Sequence, residues 1–270
     1  MVPSAVPATD VETNGCGEFL ASDMMKYVDN ARVLGLGETM RFMECCEGEK
    51  RMADKLELFA KKHIDGHAPG IRGKEVQAYR LAGVENDHEC STAEEVLDKL
   101  RAGLHIYVRE GSGAKNLETL IKTMLDAGVC LDRCAFCTDD KHVEEIRKEG
   151  HISTCIRKAI ALGVPVAKAY KMGSYQAAEF YGLKNYGAIG AGYRADIVFL
   201  DDLEQVRPLD VMKDGRILTE EDYAKDYSVP VPDELLHTVH VGEVTKEKIR
   251  LSCDGKTDVI QMLSLIHISE

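Results

Sequence analysis

Four residues whose side chains bind divalent metals each follow a short apolar run: Glu38, His67, His88 and Asp139. Imidazole and carboxylate groups together are typical of zinc, manganese and iron sites in proteins. His67 and His88 stand 21 positions apart, which fits one strand plus one helix. If the apolar runs are neighbouring parallel strands, the four side chains meet at one end of the sheet. The alternative is that each histidine is an ordinary solvated loop residue.

The stretch HIDGHAPG, residues 63–70, holds another histidine, His63, four positions before His67. Two histidines at this spacing can bind one metal from the face of a helix. Gly66 lies between them and Pro69 follows, and both oppose a helix. We therefore predict that His63 begins a strand and is structural, whereas His67 ends that strand and binds metal.

Two adjacent carboxylates, Asp139 and Asp140, end the run FCTDD. Side chains alternate along a strand, so only one of them can face a metal. Asp139 comes first after the strand and is the better candidate for a ligand and general base. The alternative is a turn or a cap for the helix that begins near His142.

The stretch REGSG holds Arg109, Glu110 and Ser112 at the end of another apolar run. Its glycines allow close approach of the backbone to a ligand, so these side chains could clamp a substrate. The equally good alternative is an Arg109–Glu110 pair that braces the rim of the sheet.

The stretch CLDRCAFC has the spacing C-x3-C-x2-C of radical-SAM iron–sulfur sites. Those cysteines lie on a loop, whereas Cys134 to Thr138 have the pattern of a strand. We therefore expect Cys130, Cys134 and Cys137 to be buried free thiols.

Short apolar runs alternate with helical segments, which predicts βαβ units and a parallel sheet. The clearest helix is STAEEVLDKLRAG, residues 91–103, with Ser91 or Thr92 as N-cap and with Lys99 and Arg101 in the last turn, where cations favour the helix dipole. Five strands end in polar groups. This pattern fits a (β/α)8 barrel, which needs eight strands, or an open doubly wound sheet.

From about residue 186 the pattern changes to short strands and glycine turns, with a hairpin predicted at Asp214-Gly215. We predict a barrel portion over 1–188 and the start of a small β domain over 189–262. Within the latter, the proline-rich segment 227–235 is a candidate linker. The final LSLIHISE, residues 263–270, matches a translated sequencing adapter, so we expect it to be a non-native tail.

Composition excludes several classes of protein. The net charge is −12 and the pI is about 5.3, which disfavours nucleic-acid binding. No apolar run is long enough to cross a membrane, and the N-terminus lacks the features of a signal peptide. Nine cysteines, an odd number, then indicate free thiols in a reducing cytoplasm rather than a disulfide framework.

Several stretches together resemble the adenine deaminases of the amidohydrolase superfamily. The resemblance runs from about residue 2 to about 262 and is carried by PSAVPATDVETNG, VLGLGE, IDGHAPG, NDHECSTAEE, REGSGAKNL, FCTDD, EGHIS and GAIGAGYRADIVFLDDL. It implies a distorted (β/α)8 barrel, of which this chain supplies strands 4–8, followed by part of a small β domain.

The resemblance also implies a role for each site residue. Glu38 resembles the carboxylate that bridges two metals, His67 and His88 resemble ligands on the fifth and sixth strands, and Asp139 resembles the eighth-strand aspartate that binds metal and moves protons. Glu89 would handle a proton on the purine ring. Three further residues would lie near the substrate: Arg109, Glu110 and Ser112.

The implied reaction is hydrolysis of adenine to hypoxanthine and ammonia by metal-activated hydroxide. The implied cofactors are two divalent ions, manganese or iron, with zinc possible. The implied partners are adenine and, for the intact enzyme, a second copy in a homodimer, with no nucleic acid and no membrane.

The family pattern begins with strands that carry an H-x-H pair, and this sequence has no such pair. We therefore expect a fragment of a longer enzyme that is inactive alone. The alternatives are another cyclic-amide or aminopurine hydrolase of the superfamily, or a non-catalytic metal-binding fragment.

Overall fold

The computed structural model describes residues 1–6, 8, 17–225, 228–236, 242–250 and 255. Within these, strands and helices alternate through the first two thirds of the chain, as predicted. The strands are β1 Val2–Pro3, β2 Gly35–Thr39, β3 His63–Gly66, β4 Asn86–Asp87, β5 His105–Arg109, β6 Cys134–Cys137, β7 Ile197–Leu200, β8 Pro208–Lys213 and β9 Arg216–Ile217.

The helices separate these strands and cluster after β6. The α-helices are α1 Ala21–Val28, α2 Phe42–Glu47, α3 Lys50–Leu58, α4 Lys74–Leu81, α5 Ala93–Arg101, α6 Leu117–Asp126, α7 Val143–Glu149, α8 Ile152–Ala161, α9 Val166–Gly173, α10 Tyr175–Phe180 and α11 Glu220–Tyr223. Two short 3-10 helices span Leu131–Arg133 and Asp233–Leu235.

Strands β1 to β6 form two parallel three-stranded sheets, in the orders β1-β2-β3 and β4-β5-β6. The two sheets meet between β3 and β4, where Glu85 N donates to Ile64 O at 3.0 Å. Strands therefore occupy the five predicted runs, and β1 adds a short sixth. The fold is a mixed α/β structure. The number of strands it supplies to an eight-stranded barrel stays a prediction.

Alternation along β5 divides its side chains between two environments. Ile106 and Val108 pack in the core with α5, α6 and α8, whereas Tyr107 packs on the other face against Phe180 of α10. A second core joins α1, α3 and α4 to β2 and β3. Helices thus cover the outer face of the parallel strands, and Arg109, two positions after Tyr107, belongs to the inner face.

Helix α5 begins as predicted. Thr92 is its N-cap, and Glu95 completes a reciprocal capping box with it. Lys99 and Arg101 lie in its last turn, as predicted, but the Lys99 side chain is fully buried. Its position on the buried face of the helix gives it a different set of partners.

Strands β7, β8 and β9 form a separate antiparallel sheet. The predicted hairpin at Asp214-Gly215 is confirmed, and both residues have the positive φ that a tight hairpin turn requires. The boundary at residue 188 between two domains stays a prediction. The predicted tail, 263–270, lies outside the described residues, as do parts of the 227–235 linker and of the 189–262 domain. None of the helices that the structure describes could cross a membrane.

Candidate metal centre

The two predicted histidine ligands directly follow neighbouring strands. His67 follows β3 and His88 follows β4. A side chain at Gly66 would collide with the carbonyl of Asn86, so glycine is needed for the two strand ends to approach this closely. The ring centroids of His67 and His88 lie 5.1 Å apart. The prediction that His63 begins the strand is confirmed, and the structure excludes a helical His63–His67 pair.

Glu38 reaches the same place from β2. Its Oε2 lies 3.5 Å from His67 Nδ1, and its Oε1 lies 4.0 Å from His88 Nε2. The register of β2 against β3 shifts between Leu36 and Thr39, which interrupts the regular alternation at Glu38. Ligand atoms of Glu38, His67 and His88 all lie within 4.8 Å of one another.

A second group of ligand-type atoms shares His88 with the first. It joins His88, Glu89 and Asp139, again with one atom of each within 4.8 Å of the others. Asp139 follows β6 and has a φ of 51°, a left-handed conformation that is uncommon outside glycine. Its neighbour Asp140 belongs to neither group. The structure therefore brings five of the predicted site residues together at the carboxyl ends of the parallel strands.

Arg109 forms hydrogen bonds to both catalytic candidates, Asp139 and Glu89. Its Nη1 donates to Asp139 Oδ2 at 2.9 Å and also bonds Glu89 Oε1. The guanidinium is nearly fully buried, and its Nε donates to Asn116 Oδ1 at 3.3 Å. The sequence suggested a substrate clamp or a pair with Glu110, and neither expectation included these partners.

Glu110 and Ser112 bond elsewhere. Lys158 Nζ donates to Glu110 Oε1 at 2.5 Å, and Ser112 Oγ donates to Glu145 Oε2 at 2.6 Å. Both side chains thus attach the loop after β5 to α7 and α8. Their predicted contact with substrate stays a prediction.

Comparison with known proteins decides the family. The sequence profile of the amidohydrolase family matches residues 47–218, which is more than half of the chain. The chain belongs to the amidohydrolase family. The matched region contains His67, His88, Glu89, Arg109 and Asp139, whereas Glu38 precedes it.

Curated relatives and solved structures agree with this membership. The adenine deaminase of Desulfitobacterium hafniense is 41% identical over 97% of this chain, and that of Clostridium acetobutylicum is 41% identical over 98%. Each match covers 46% of the relative, so the chain spans about half the length of the curated relatives it matches. The β-aspartyl dipeptidase of Fervidobacterium islandicum AW-1 has a TM-score of 0.57 at 17% identity, over 77% of this chain and 63% of that chain, which shows a shared fold.

The electrostatics of this amidohydrolase site suit a cation. The His67 imidazole lowers the pKa of Glu38, and His88 and Arg109 act in the same direction against the effect of burial. Burial alone would lower the pKa of His67, but the carboxylates of Glu38 and Glu89 outweigh it and raise that pKa. Carboxylates therefore dominate the potential around the His67 ring.

The donor set fits a divalent metal. His67 Nδ1 is buried and has no hydrogen-bond partner among the described residues, although two carboxylates lie within 3.8 Å. A buried ring nitrogen without a partner costs free energy, which a metal–nitrogen bond would offset. Two imidazoles and three carboxylates in two overlapping groups are the N/O ligands that manganese, iron and zinc accept.

A cavity of about 160 Å³ lies beside the ligand groups. Its lining includes Glu38, His88 and Asp139, together with Asp65, Tyr107 and Tyr181. Tyr181 Oη donates to Asp65 Oδ2 at 3.2 Å, and Asn86 Nδ2 donates to Asp65 Oδ1 at 2.6 Å. No sequence motif pointed to Asn86, Tyr107 or Tyr181, although period-2 alternation places Tyr107 on the face of Arg109.

The cysteines of CLDRCAFC are free thiols, as predicted. Cys134 and Cys137 lie within β6, and burial raises the pKa of Cys134 to about 12. The expectation of burial is confirmed for Cys134, whereas Cys137 is only partly buried and Cys130 is exposed, because Cys130 precedes the 3-10 helix before the strand. Protonated thiols on a strand are unsuited to hold an iron–sulfur cluster.

Proposed function

We propose that the protein containing this chain hydrolyses adenine to hypoxanthine and ammonia. The observation that carries the proposal is the pair of overlapping ligand groups, Glu38–His67–His88 and His88–Glu89–Asp139, at the carboxyl ends of the strands. Two relatives that are 41% identical over nearly all of this chain are adenine deaminases, which supports adenine as the substrate. Adenine carries no phosphate, which agrees with an acidic chain.

Glu38, His67, His88 and Asp139 would hold two divalent ions, manganese or iron, with zinc as the other candidate. A bound divalent ion lowers the pKa of a water ligand toward neutrality, which makes that water a nucleophile at neutral pH. The two carboxylate oxygens of Glu38 lie near different histidines, so Glu38 could contribute to the binding of both ions.

Proton transfer falls to the two carboxylates that Arg109 holds. Asp139 takes a proton from the attacking water and delivers it to the amine nitrogen at C6, so that ammonia leaves instead of amide ion. Glu89 handles a proton on a ring nitrogen of the purine. The Arg109 guanidinium fixes both carboxylates through one nitrogen, Nη1, so the two proton carriers lie side by side.

The test compares two adjacent aspartates. In a protein of the relatives' full length that contains this sequence, with Mn²⁺, we expect Asp139→Asn to lower kcat for ammonia release from adenine by about 10²- to 10⁴-fold, the contribution of a positioned general acid–base. Asp140→Asn is the matched control and leaves kcat unchanged, because Asp140 belongs to neither ligand group. Equal effects would contradict the assignment.

The same assay separates the remaining alternatives. We expect no measurable ammonia release from the isolated chain. Hydrolysis of hydantoins or guanine in preference to adenine would favour another amidohydrolase activity, and metal binding by the full-length protein without hydrolysis of any of them would favour a non-catalytic role. A homodimer in the cytoplasm stays a prediction that sedimentation and cell fractionation can test.

A further inference from the structure

A fully buried ion pair lies directly behind the two histidines. Lys99 of α5 and Asp87 of β4 both have no exposed surface, and Lys99 Nζ donates to Asp87 Oδ2 at 2.9 Å. Neither residue belongs to the ligand groups. Replacing a buried ion pair with apolar residues of similar size is often neutral or stabilising, so stability alone is a weak reason for such a pair.

The pair bonds the backbone on both sides of the site. Asp87 Oδ1 accepts from Ala68 N at 2.8 Å, and its Oδ2 accepts from Glu89 N at 3.2 Å. Lys99 Nζ also donates to Ala68 O at 2.7 Å. Ala68 directly follows His67, and Glu89 directly follows His88. One carboxylate and one ammonium therefore connect the two histidine-bearing segments.

Helix α5 makes the same kind of connection one turn earlier. Glu95 lies four positions before Lys99 on the same buried face. Its Oε1 accepts from Gly70 N, and its Oε2 accepts from Ser91 N at 3.0 Å. Gly70 and Ser91 continue the two segments that carry His67 and His88. A single helix face thus fixes both segments through charge-assisted hydrogen bonds, which are stronger than neutral ones.

We infer that Asp87 and Lys99 are positioning residues that set the spacing of the His67 and His88 rings, and with it the metal affinity of the site. This inference rests on the metal centre proposed above. Groups behind metal ligands orient them, and their loss typically weakens metal affinity by about 10- to 100-fold. Asp87 and Lys99 act only through the backbone next to each ligand.

The test is the double variant Asp87→Asn/Lys99→Met in the full 270-residue chain. It removes both charges of the pair together, and Glu95, whose Oε1 lies 3.8 Å from Lys99 Nζ, keeps its hydrogen bonds to the backbone of Gly70 and Ser91. With Co²⁺ as the probe, we expect titration calorimetry to show about 10- to 100-fold weaker binding and the visible spectrum of the bound ion to shift. Hydrogen exchange at the amides of Ala68 and Glu89, measured without metal, accelerates.

Asp98→Asn is the matched control. Asp98 lies on the same helix, is partly exposed, and accepts from Arg72 Nε at 3.3 Å and Gly73 N at 3.4 Å, beyond the histidine segment. We expect its Co²⁺ affinity and spectrum to match those of the unaltered chain. Should the double variant fail to fold, Glu95→Gln replaces it, and we expect a smaller loss of affinity in the same direction.

The outcomes are distinguishable. Faster exchange at Ala68 and Glu89 with unchanged Co²⁺ affinity and spectrum would overturn the inference, because the pair would then be structural only. Absence of Co²⁺ binding by the unaltered chain would instead overturn the metal centre itself, and the inference with it. Weaker binding and a shifted spectrum in the double variant, with neither in Asp98→Asn, would support both.

Discussion

Strand β3 has one histidine at its start and another just after its end, and the two lie in opposite environments. His63 Nδ1 lies 2.6 Å from Glu85 Oε2, and its ring contacts Tyr181 edge-on at 5.8 Å. His67 Nδ1 faces two carboxylates at 3.5 and 3.8 Å and has no hydrogen-bond partner among the described residues. A histidine side chain thus has a hydrogen-bond partner at one end of the strand, whereas at the other end Nδ1 has none among the described residues.

This difference follows the direction of the strands. At their starts, Glu85 pairs with His63, and burial lowers the pKa of His105 to about 4, so that its ring is neutral at neutral pH. At their ends, His67 Nδ1 lacks a hydrogen-bond partner among the described residues, as His105 Nδ1 does at the start of β5, but here carboxylates also outnumber the cations that could neutralise them. Such an arrangement costs stability, so its presence at one end of the sheet indicates a function there.

The largest effect is expected from removing the histidine at the metal-binding end of the strand. We expect His67→Ala to weaken Mn²⁺ or Co²⁺ binding by more than about 100-fold, since loss of a ligand exceeds the loss of a group behind one. His63→Ala is the matched control and leaves metal affinity unchanged, because His63 lies at the far end of the strand. Isothermal titration of both variants measures this, and similar losses would show that the two histidines are equivalent.

A smaller effect tests how closely the strand ends must approach. We expect Gly66→Ala to lower the free energy of unfolding by about 1–3 kcal/mol, because the added methyl group meets the Asn86 carbonyl and the backbone must shift. Gly37→Ala in β2 is the control, since its methyl group would meet atoms at 3.3 Å and needs only a slight adjustment. Urea titration compares the two, and a Gly66→Ala variant as stable as the unaltered chain would contradict the close packing.

The smallest effect is expected at the start of the strand, where His63 pairs with Glu85. Glu85 raises the pKa of His63 above its ordinary 6.5, and His63 lowers the pKa of Glu85 below its ordinary 4.5. The stability that the protonated His63 contributes is therefore complete below pH 6.5 and is lost as the pH rises through the raised pKa. The glutamate contribution is complete above 4.5 and is lost as the pH falls through the lowered pKa.

The pair therefore stabilises the fold most between about pH 4.5 and 6.5, by under about 1 kcal/mol because it is partly exposed. His63→Gln should destabilise the chain more at pH 5.5 than at pH 8.5. Thermal unfolding at the two pH values measures this difference. An effect of the same size at both would mean that the pair does not depend on charge.

Local patterns in the sequence were sufficient for the elements and for most of the site. The capping box of α5, the hairpin at Asp214-Gly215 and the strand ends before His67 and His88 depend on residues close together in the chain. Caps, turns and period-2 alternation act over such distances, so they can be read without the fold.

Contacts between distant segments could not be predicted in this way. Arg109 meets Glu89 and Asp139, which lie 20 and 30 positions away, and two alternatives for it stayed open in the sequence. Lys99 has the position of an ordinary helix-end cation until tertiary packing buries it against Asp87. The irregular register of β2 at Glu38 likewise depends on its pairing with β3.

The left-handed backbone at Asp139 limits what evolution can place there. Aspartate and asparagine tolerate this conformation better than other residues with a side chain beyond Cβ, whereas glutamate does not share the preference. Replacement by asparagine would keep the turn but lose the carboxylate. Replacement by glutamate would keep the charge but strain the backbone of the turn. Residue 139 is thus restricted twice: the chemistry requires a carboxylate, and the backbone requires a residue that tolerates a positive φ. Aspartate is the residue that meets both requirements.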